Sequence, residues 1–281
     1  SPSGGSAVPD DFEQIKIVKF ERVFDRHTDS VRLIDRSERA KLTMIGEGSF
    51  AHVYSYMDPE YGIKFAVKRA KRTLSERDLD RFKQEFHVMK GLNFPYVVQV
   101  FKYDEERNEY RMEYCEETLR SYVNQRNSKL TLPTRKRIAL QFLYGLNFLH
   151  SKGYLHRDIS LQNVLLKVYS QGAVLVKLSD FGLVKDASSD FTLTGTELRG
   201  TIRDPQLESL KDYSVANEIY AVGWVLSFIF TGKESLGGSA GDVAHIVKKC
   251  TDSDISQRYS SVRDLIVDVE ALVTMPTGTP A

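Results

Sequence analysis

Apolar and polar positions alternate in short runs through the first half of the chain and recur at helical steps through the second. Lys41–Ile45, His52–Met57 and Ile63–Arg69 are brief β-prone runs separated by turns bearing Gly or Pro. The period then changes. Over Thr73–Gly91, Leu79, Phe82, Phe86 and Met89 recur three and four apart, which is one face of a helix. Ser75 and Asp78 at its start have the form of a capping box. Val97–Tyr103 and Glu109–Tyr114 return to strand. Upstream, the run Ile15–Phe24 predicts a further strand, and residues 25–40 are dense in charge without a clear period.

Beyond residue 116 the pattern is mostly helical. Leu132–Lys152 places Ile138, Phe142, Leu143, Leu146 and Leu149 on one face. Val164–Leu166 and Val174–Leu178 predict a hairpin about Ser170-Gln171-Gly172. Tyr213–Phe230 is apolar nearly all round, as expected of a helix buried on every side. Asp242–Cys250 and Tyr259–Leu272 close the chain as helices. Strands first and helices after predict an α+β protein of two lobes. The small β-rich lobe spans 41–115 and the larger helical lobe 116–273, with an extension over 1–40 and a flexible tail over 274–281. A cleft between lobes is a natural ligand site.

The 281 residues carry 39 Lys+Arg against 38 Asp+Glu, a formal net charge of +1. That balance gives no reason to expect nucleic acid or an anionic membrane as partner. Apolar residues are 41% and charged residues 27%, an ordinary globular composition with enough chain to bury a core. Two cysteines, Cys115 and Cys250, make neither a disulfide framework nor a cysteine-rich zinc site, and fit a reducing compartment. The longest mostly apolar run without charge, Tyr220–Gly232, has 13 residues, against about 20 needed to cross a bilayer. The start shows no signal peptide, and without an initiator methionine the sequence reads as an excised or processed piece of something longer.

Three segments carry chemistry. Gly46-Glu47-Gly48-Ser49-Phe50-Ala51-His52-Val53 runs from strand to strand; its glycines would let backbone amides approach phosphate, and a plain hairpin turn fits as well. Lys68 ends the apolar run Ala66-Val67-Lys68. It is either a solvated edge-strand amine or a cation in the cleft held by a carboxylate, for which Glu85 is the candidate. His156-Arg157-Asp158-Ile159-Ser160-Leu161-Gln162-Asn163 follows a helix, and Asp180-Phe181-Gly182 lies seventeen residues further on. Asp158 could orient a hydroxyl and take its proton, while Asn163 and Asp180 offer hard oxygen ligands for a divalent cation.

In this order the segments resemble the eukaryotic-type protein kinase domain, over roughly Lys41 to Leu272. The resemblance implies the bilobal kinase fold, ATP and Mg2+ as cofactors, a protein substrate phosphorylated on Ser or Thr, and an intracellular, cytoplasmic setting. It implies a nucleotide site of Gly46, Glu47, Gly48, Val53, Ala66, Lys68, Met112, Glu113, Cys115 and Leu165. Asp158 would be the catalytic base, with Lys68, Glu85, Asn163 and Asp180 completing the machinery, and Asn163 and Asp180 as metal ligands. Met89, Val100, His156 and Phe181 match the apolar column linking the lobes. Arg157 would bind a phosphate on the loop carrying Thr192, Thr194 and Thr196, and Thr201 would pack against Asp158. Glu208 would close the segment and pair with Arg258.

The pattern also departs from the family. Ala51 replaces a third loop glycine, Leu207 a proline, Glu218 the aspartate that opens the central helix, and Ser160 a lysine. Thr231–Asp242 is short and glycine-rich, so a helix is reduced there. Two rival functions remain at this point: a scaffold that keeps the fold without catalysis, and a small-molecule phosphotransferase.

Overall fold

The computed structural model describes residues 20–25, 30–35, 42–181 and 202–273. Strands β1 (Phe20–Asp25) and β2 (Ser30–Asp35) form an antiparallel hairpin. The first falls at the end of the expected Ile15–Phe24 run. The second lies in the stretch read as charge-dense and without period.

A five-stranded antiparallel sheet follows: β3 (Thr43–Glu47), β4 (Ala51–Met57), β5 (Lys64–Ala70), β6 (Val100–Asp104) and β7 (Glu109–Glu113), in spatial order β3-β4-β5-β7-β6. β5 is therefore the central strand, which rules out the edge-strand reading of Lys68. Register puts Gly46 opposite Val53, Val53 opposite Lys68, and Lys68 opposite Tyr110; Ala66 lies opposite Met112. Because side chains alternate along a strand, these residues share one sheet face.

Helix α1 (Glu76–Gly91) lies between β5 and β6 in sequence. The Ser75 hydroxyl accepts from the Asp78 amide at 3.2 Å, as the capping pattern predicts. Phe82, Phe86 and Met89 are buried, and the rings of Phe82 and Phe86 pack on Tyr110 with centroids 5.2 and 5.5 Å away.

The helical part contains α2 (Leu119–Arg126), α3 (Leu132–Ser151), α4 (Val215–Thr231), α5 (Gly241–Cys250) and α6 (Val262–Ala271). The pattern missed α2, and with it the two-residue strand β8 (Glu117–Thr118). β8 joins the expected hairpin of β9 (Val164–Val168) and β10 (Val174–Leu178) in a three-stranded sheet. α4 is buried over most of its surface, with Ile219, Val222, Val225, Leu226, Phe228 and Ile229 at zero exposure. Between α4 and α5 there is no α-helix, in line with the short glycine-rich segment. The two parts of the core meet where Val97 bridges Leu178 in parallel. There the Val98 amide donates to the Leu178 carbonyl at 2.9 Å and the Leu178 amide to the Tyr96 carbonyl at 2.8 Å. No helix among the described residues is long and apolar enough to cross a membrane.

Candidate active site

Cross-strand pairing and the packing of α1 bring the first charges together. The Lys68 ammonium donates to Glu85 Oε1 at 2.6 Å and to Asp180 Oδ1 at 2.8 Å. Lys68 and Glu85 have side chains only 11% and 5% exposed. Burial disfavours the lysine's charge, but Asp180 and Glu85 outweigh it and hold the amine well above its ordinary range. Burial pushes the Glu85 carboxyl up; Lys68 opposes the shift without cancelling it. For Asp180, desolvation also works against the charge. The Lys68 charge and its hydrogen bond at 2.8 Å, with His156 adding to them, together outweigh that cost, and the carboxyl is held low while its side chain keeps 46% exposure.

The loop between α3 and β9 supplies the next groups. Glu218, in the first turn of α4, is fully buried and organises this loop from below. Its Oε1 accepts from the His156 amide at 3.2 Å and contacts His150 Nε2 at 2.8 Å; its Oε2 accepts from the Arg157 amide at 3.0 Å. Burial opposes the Glu218 charge, but these partners prevail and its pKa is lowered. So positioned, Arg157 adopts φ 65°, a left-handed backbone that a non-glycine residue holds only when its surroundings enforce it. Asp180 has the same φ of 65°.

The Asn163 amide nitrogen donates to the Asp158 carbonyl at 2.8 Å and to its carboxylate Oδ2 at 3.0 Å. This turns the Asn163 carbonyl oxygen into the group available as an acceptor. The Ser179 amide and hydroxyl both donate to the Asn163 backbone carbonyl at 3.0 Å, tying this loop to the residue before Asp180. Ser160 is buried, and its hydroxyl accepts from the amides of Gln162 and Asn163 at 3.3 and 3.2 Å, so it caps this turn. Met89, Val100, His156 and Phe181 are all buried, and the His156 and Phe181 rings are 5.0 Å apart. His156 Nε2 is 3.0 Å from the Ser179 carbonyl oxygen, so both histidines of this region serve the scaffold.

Of the residues expected to form a nucleotide site, Gly46, Val53, Ala66 and Met112 lie on the same sheet face as Lys68, and the Gly48 amide donates to the Ala51 carbonyl across the loop turn at 2.8 Å. Glu47 instead turns outward, 54% exposed, with its carboxylate on Lys71 at 2.7 Å. Glu113 turns its carboxylate to Lys177 at 2.7 Å and to the Gln99 amide at 2.8 Å. Burial, then the Glu113 charge, pushes the half-buried Cys115 thiol up to about 12. Leu165 is partly buried on β9. Thr192, Thr194, Thr196 and Thr201 lie outside the described residues.

One expected contact is overturned. Arg258 pairs with Asp204, not Glu208: Nη1 to Oδ2 is 2.5 Å and Nη2 to Oδ1 is 3.1 Å. The reason is a tight turn. The Leu207 amide bonds the Asp204 carbonyl at 3.1 Å and the Gln206 amide bonds Asp204 Oδ1 at 3.0 Å. This turn buries Asp204 and Leu207 and leaves Glu208 exposed.

A family model described as the protein kinase domain matches residues 39–270. The chain belongs to the protein kinase family. It is 31% identical over 258 residues to a probable serine/threonine-protein kinase PknB of Lactococcus lactis, covering 80% of this chain and 40% of the relative. It is 30% identical over 255 residues to a probable serine/threonine-protein kinase zyg-1 of Caenorhabditis briggsae, covering 85% and 35%. With serine/threonine-protein kinase MAK of Rattus norvegicus the identity is 28% over 212 residues, covering 74% and 33%. The chain thus spans less than half the length of these relatives.

Proposed function

We propose that this kinase domain is catalytically active and transfers the γ-phosphate of ATP to Ser or Thr hydroxyls of proteins, inside the cell. The observation that carries the reading is the buried Lys68 ammonium held between Glu85 at 2.6 Å and Asp180 at 2.8 Å. A buried lysine fixed by two carboxylates is a preorganised cation for phosphate oxygens. Asp158 would orient the attacking hydroxyl and take its proton as the oxygen bonds to the γ-phosphorus and the bond to the leaving ADP oxygen breaks. Asp180 and the Asn163 carbonyl oxygen are the hard oxygen donors that would hold magnesium. When bound, the metal neutralises charge on the β- and γ-phosphates. Gly46, Gly48 and Val53 would cover the nucleotide, and Ala66, Met112, Cys115 and Leu165 would line the adenine end. Preference for Ser or Thr is supported by the relatives' descriptions.

Activation by phosphorylation belongs to the same reading. The Arg157 guanidinium lies 5.6 Å from the Tyr213 ring, and its Nε is buried without a hydrogen-bond partner among the described residues. A phosphate on Thr192, Thr194 or Thr196 would supply one. Incubation with radiolabelled ATP, magnesium and mixed protein substrates, followed by phosphoamino-acid analysis, tests the reading. Phosphoserine and phosphothreonine are expected. A chain that binds nucleotide without turnover would be a scaffold, and predominant phosphotyrosine would overturn the residue preference.

A further inference from the structure

The charge network at Lys68 has a member that none of the sequence motifs contains. Tyr110, on β7, is the cross-strand partner of Lys68, so its side chain rises from the same sheet face. The residue is 1% exposed, and its hydroxyl donates to Glu85 Oε1, the same oxygen that receives the Lys68 ammonium. Burial and then the Glu85 charge hold the phenol well above its ordinary value, so it is the donor at any working pH. Its ring is already fixed by Phe82 and Phe86 of α1, at 5.2 and 5.5 Å. The hydroxyl is thus aimed with no rotamer left to lose on engagement.

We infer that Tyr110 is a positioning residue, whose hydroxyl holds Glu85 inward and thereby keeps Lys68 aimed into the cleft. Lys68 is divided between Glu85 and Asp180. When nucleotide phosphates draw the ammonium and a metal draws Asp180, Glu85 loses part of its only cationic partner within hydrogen-bond distance among the described residues. A buried carboxylate left short of donors is driven out toward water, and α1 would carry it. The Tyr110 hydroxyl supplies a donor fixed to the sheet that does not leave with the ligand. This assignment rests on the proposed kinase reading for its catalytic consequence, and on the geometry alone for its effect on nucleotide binding.

Four proteins test it: wild type, Tyr110→Phe, Glu85→Gln and the double variant, each measured for kcat, KM for ATP and the Kd of a fluorescent ATP analogue with magnesium. Tyr110→Phe keeps the ring and removes one oxygen, so a residue that only fills the core would move none of these. The expected result is a loss of about tenfold in kcat/KM, with Kd weakened in the same direction, since one hydrogen bond to a charged group is removed. In the Glu85→Gln background the same change should have little further effect, because Tyr110 acts only through Glu85. Wild-type kinetics and Kd in Tyr110→Phe, or losses that simply add in the double variant, would overturn the assignment. A wild type without turnover, but with the Tyr110 effect on Kd intact, would overturn the kinase reading and leave the assignment standing.

Discussion

Asp204→Ala should destabilise the domain far more than Glu208→Ala. Asp204 and Arg258 have side chains 0% and 1% exposed and meet through two hydrogen bonds of 2.5 and 3.1 Å. Asn217 donates a further bond to Asp204 at 2.8 Å. Removing one partner of such a buried pair costs about 3–5 kcal/mol, because the other charge is left behind. Arg258 would keep the carbonyls of Ala216 at 2.9 Å and Asp252 at 2.8 Å, which favours the lower end of that range. At about 2 °C per kcal/mol for a domain of this size, a cost of about 3 kcal/mol lowers the melting temperature by about 6 °C. Glu208 is exposed, so its truncation should stay within about 0.5 kcal/mol. The effect has a pH signature. Burial opposes the Asp204 charge, but Arg258 and the other donors hold its carboxyl below the ordinary aspartate value. A carboxyl with a depressed folded-state pKa contributes stability above its unfolded pKa of about 3.9 and loses it as pH falls through the folded value. Calorimetric melts should therefore show a constant gap between wild type and Asp204→Ala from neutral pH down to about 4, shrinking below it. A Glu208→Ala loss equal to or larger than that of Asp204→Ala would refute the pairing.

Lys68→Met and Asp158→Asn should each cut phosphoryl transfer by orders of magnitude while circular dichroism stays unchanged, because such sites work by fixed charge. Asp180→Asn should weaken magnesium-dependent nucleotide binding in a titration calorimeter, and an unchanged Kd would remove Asp180 from the metal site. Replacing Thr192, Thr194 and Thr196 together with Ala should give the initial rate of phosphatase-treated wild type, below that of the untreated protein; equal rates in all three would leave Arg157 without a phosphate to bind. Gly223→Ala should lower the melting temperature, by overpacking worth about 1–3 kcal/mol, because its new Cβ would stand 2.6 Å from Cys250 Cβ. A melting temperature within error of wild type would mean that α4 and α5 separate without cost.

The strands and long helices were legible because each buries one face, and burial writes a period of two or 3.6 into the chain. Helix α2 escaped because its eight residues bury only Leu119, Tyr122 and Val123, too few to declare a period. β2 escaped for a related reason: in Ser30–Asp35 the apolar Val31, Leu33 and Ile34 alternate imperfectly with Arg32 and Asp35, and charge hid the strand. The family resemblance points to Glu208 as the partner of Arg258, but local turn chemistry decides which acid faces inward. Asp followed by Pro is a turn signal, since the Asp side chain can bond the amide two residues on, as Asp204 does with Gln206. Tyr110 left no such trace. The register of β5 on β7 puts it opposite Lys68, and the packing of α1 brings Glu85 to its hydroxyl; both are tertiary properties.

The same charges that were easiest to find in the sequence also constrain what the site can accept. Of the four ionisable groups in the proposed machinery, Glu85, Asp158 and Asp180 are acidic and Lys68 alone is basic. The lysine is already committed to two of the three carboxylates, at 2.6 and 2.8 Å. A polyphosphate entering this cleft meets a net negative constellation, and close like charges in a partly desolvated site repel by several kcal/mol. On the proposed reading, divalent cations are therefore a condition of nucleotide binding as well as of chemistry. The exposure of Asp180, 46% against 5% for Glu85, says which carboxylate is placed to meet them. Glu85, on α1, is held by Tyr110 and Lys68 and cannot turn outward without breaking those contacts. Asp180 has a lowered carboxyl pKa and an open side chain, so on the proposed reading it is the acid that would exchange a lysine for a metal. The division of labour between the two carboxylates thus follows from burial: the enclosed one fixes the lysine, and the open one is free to leave it.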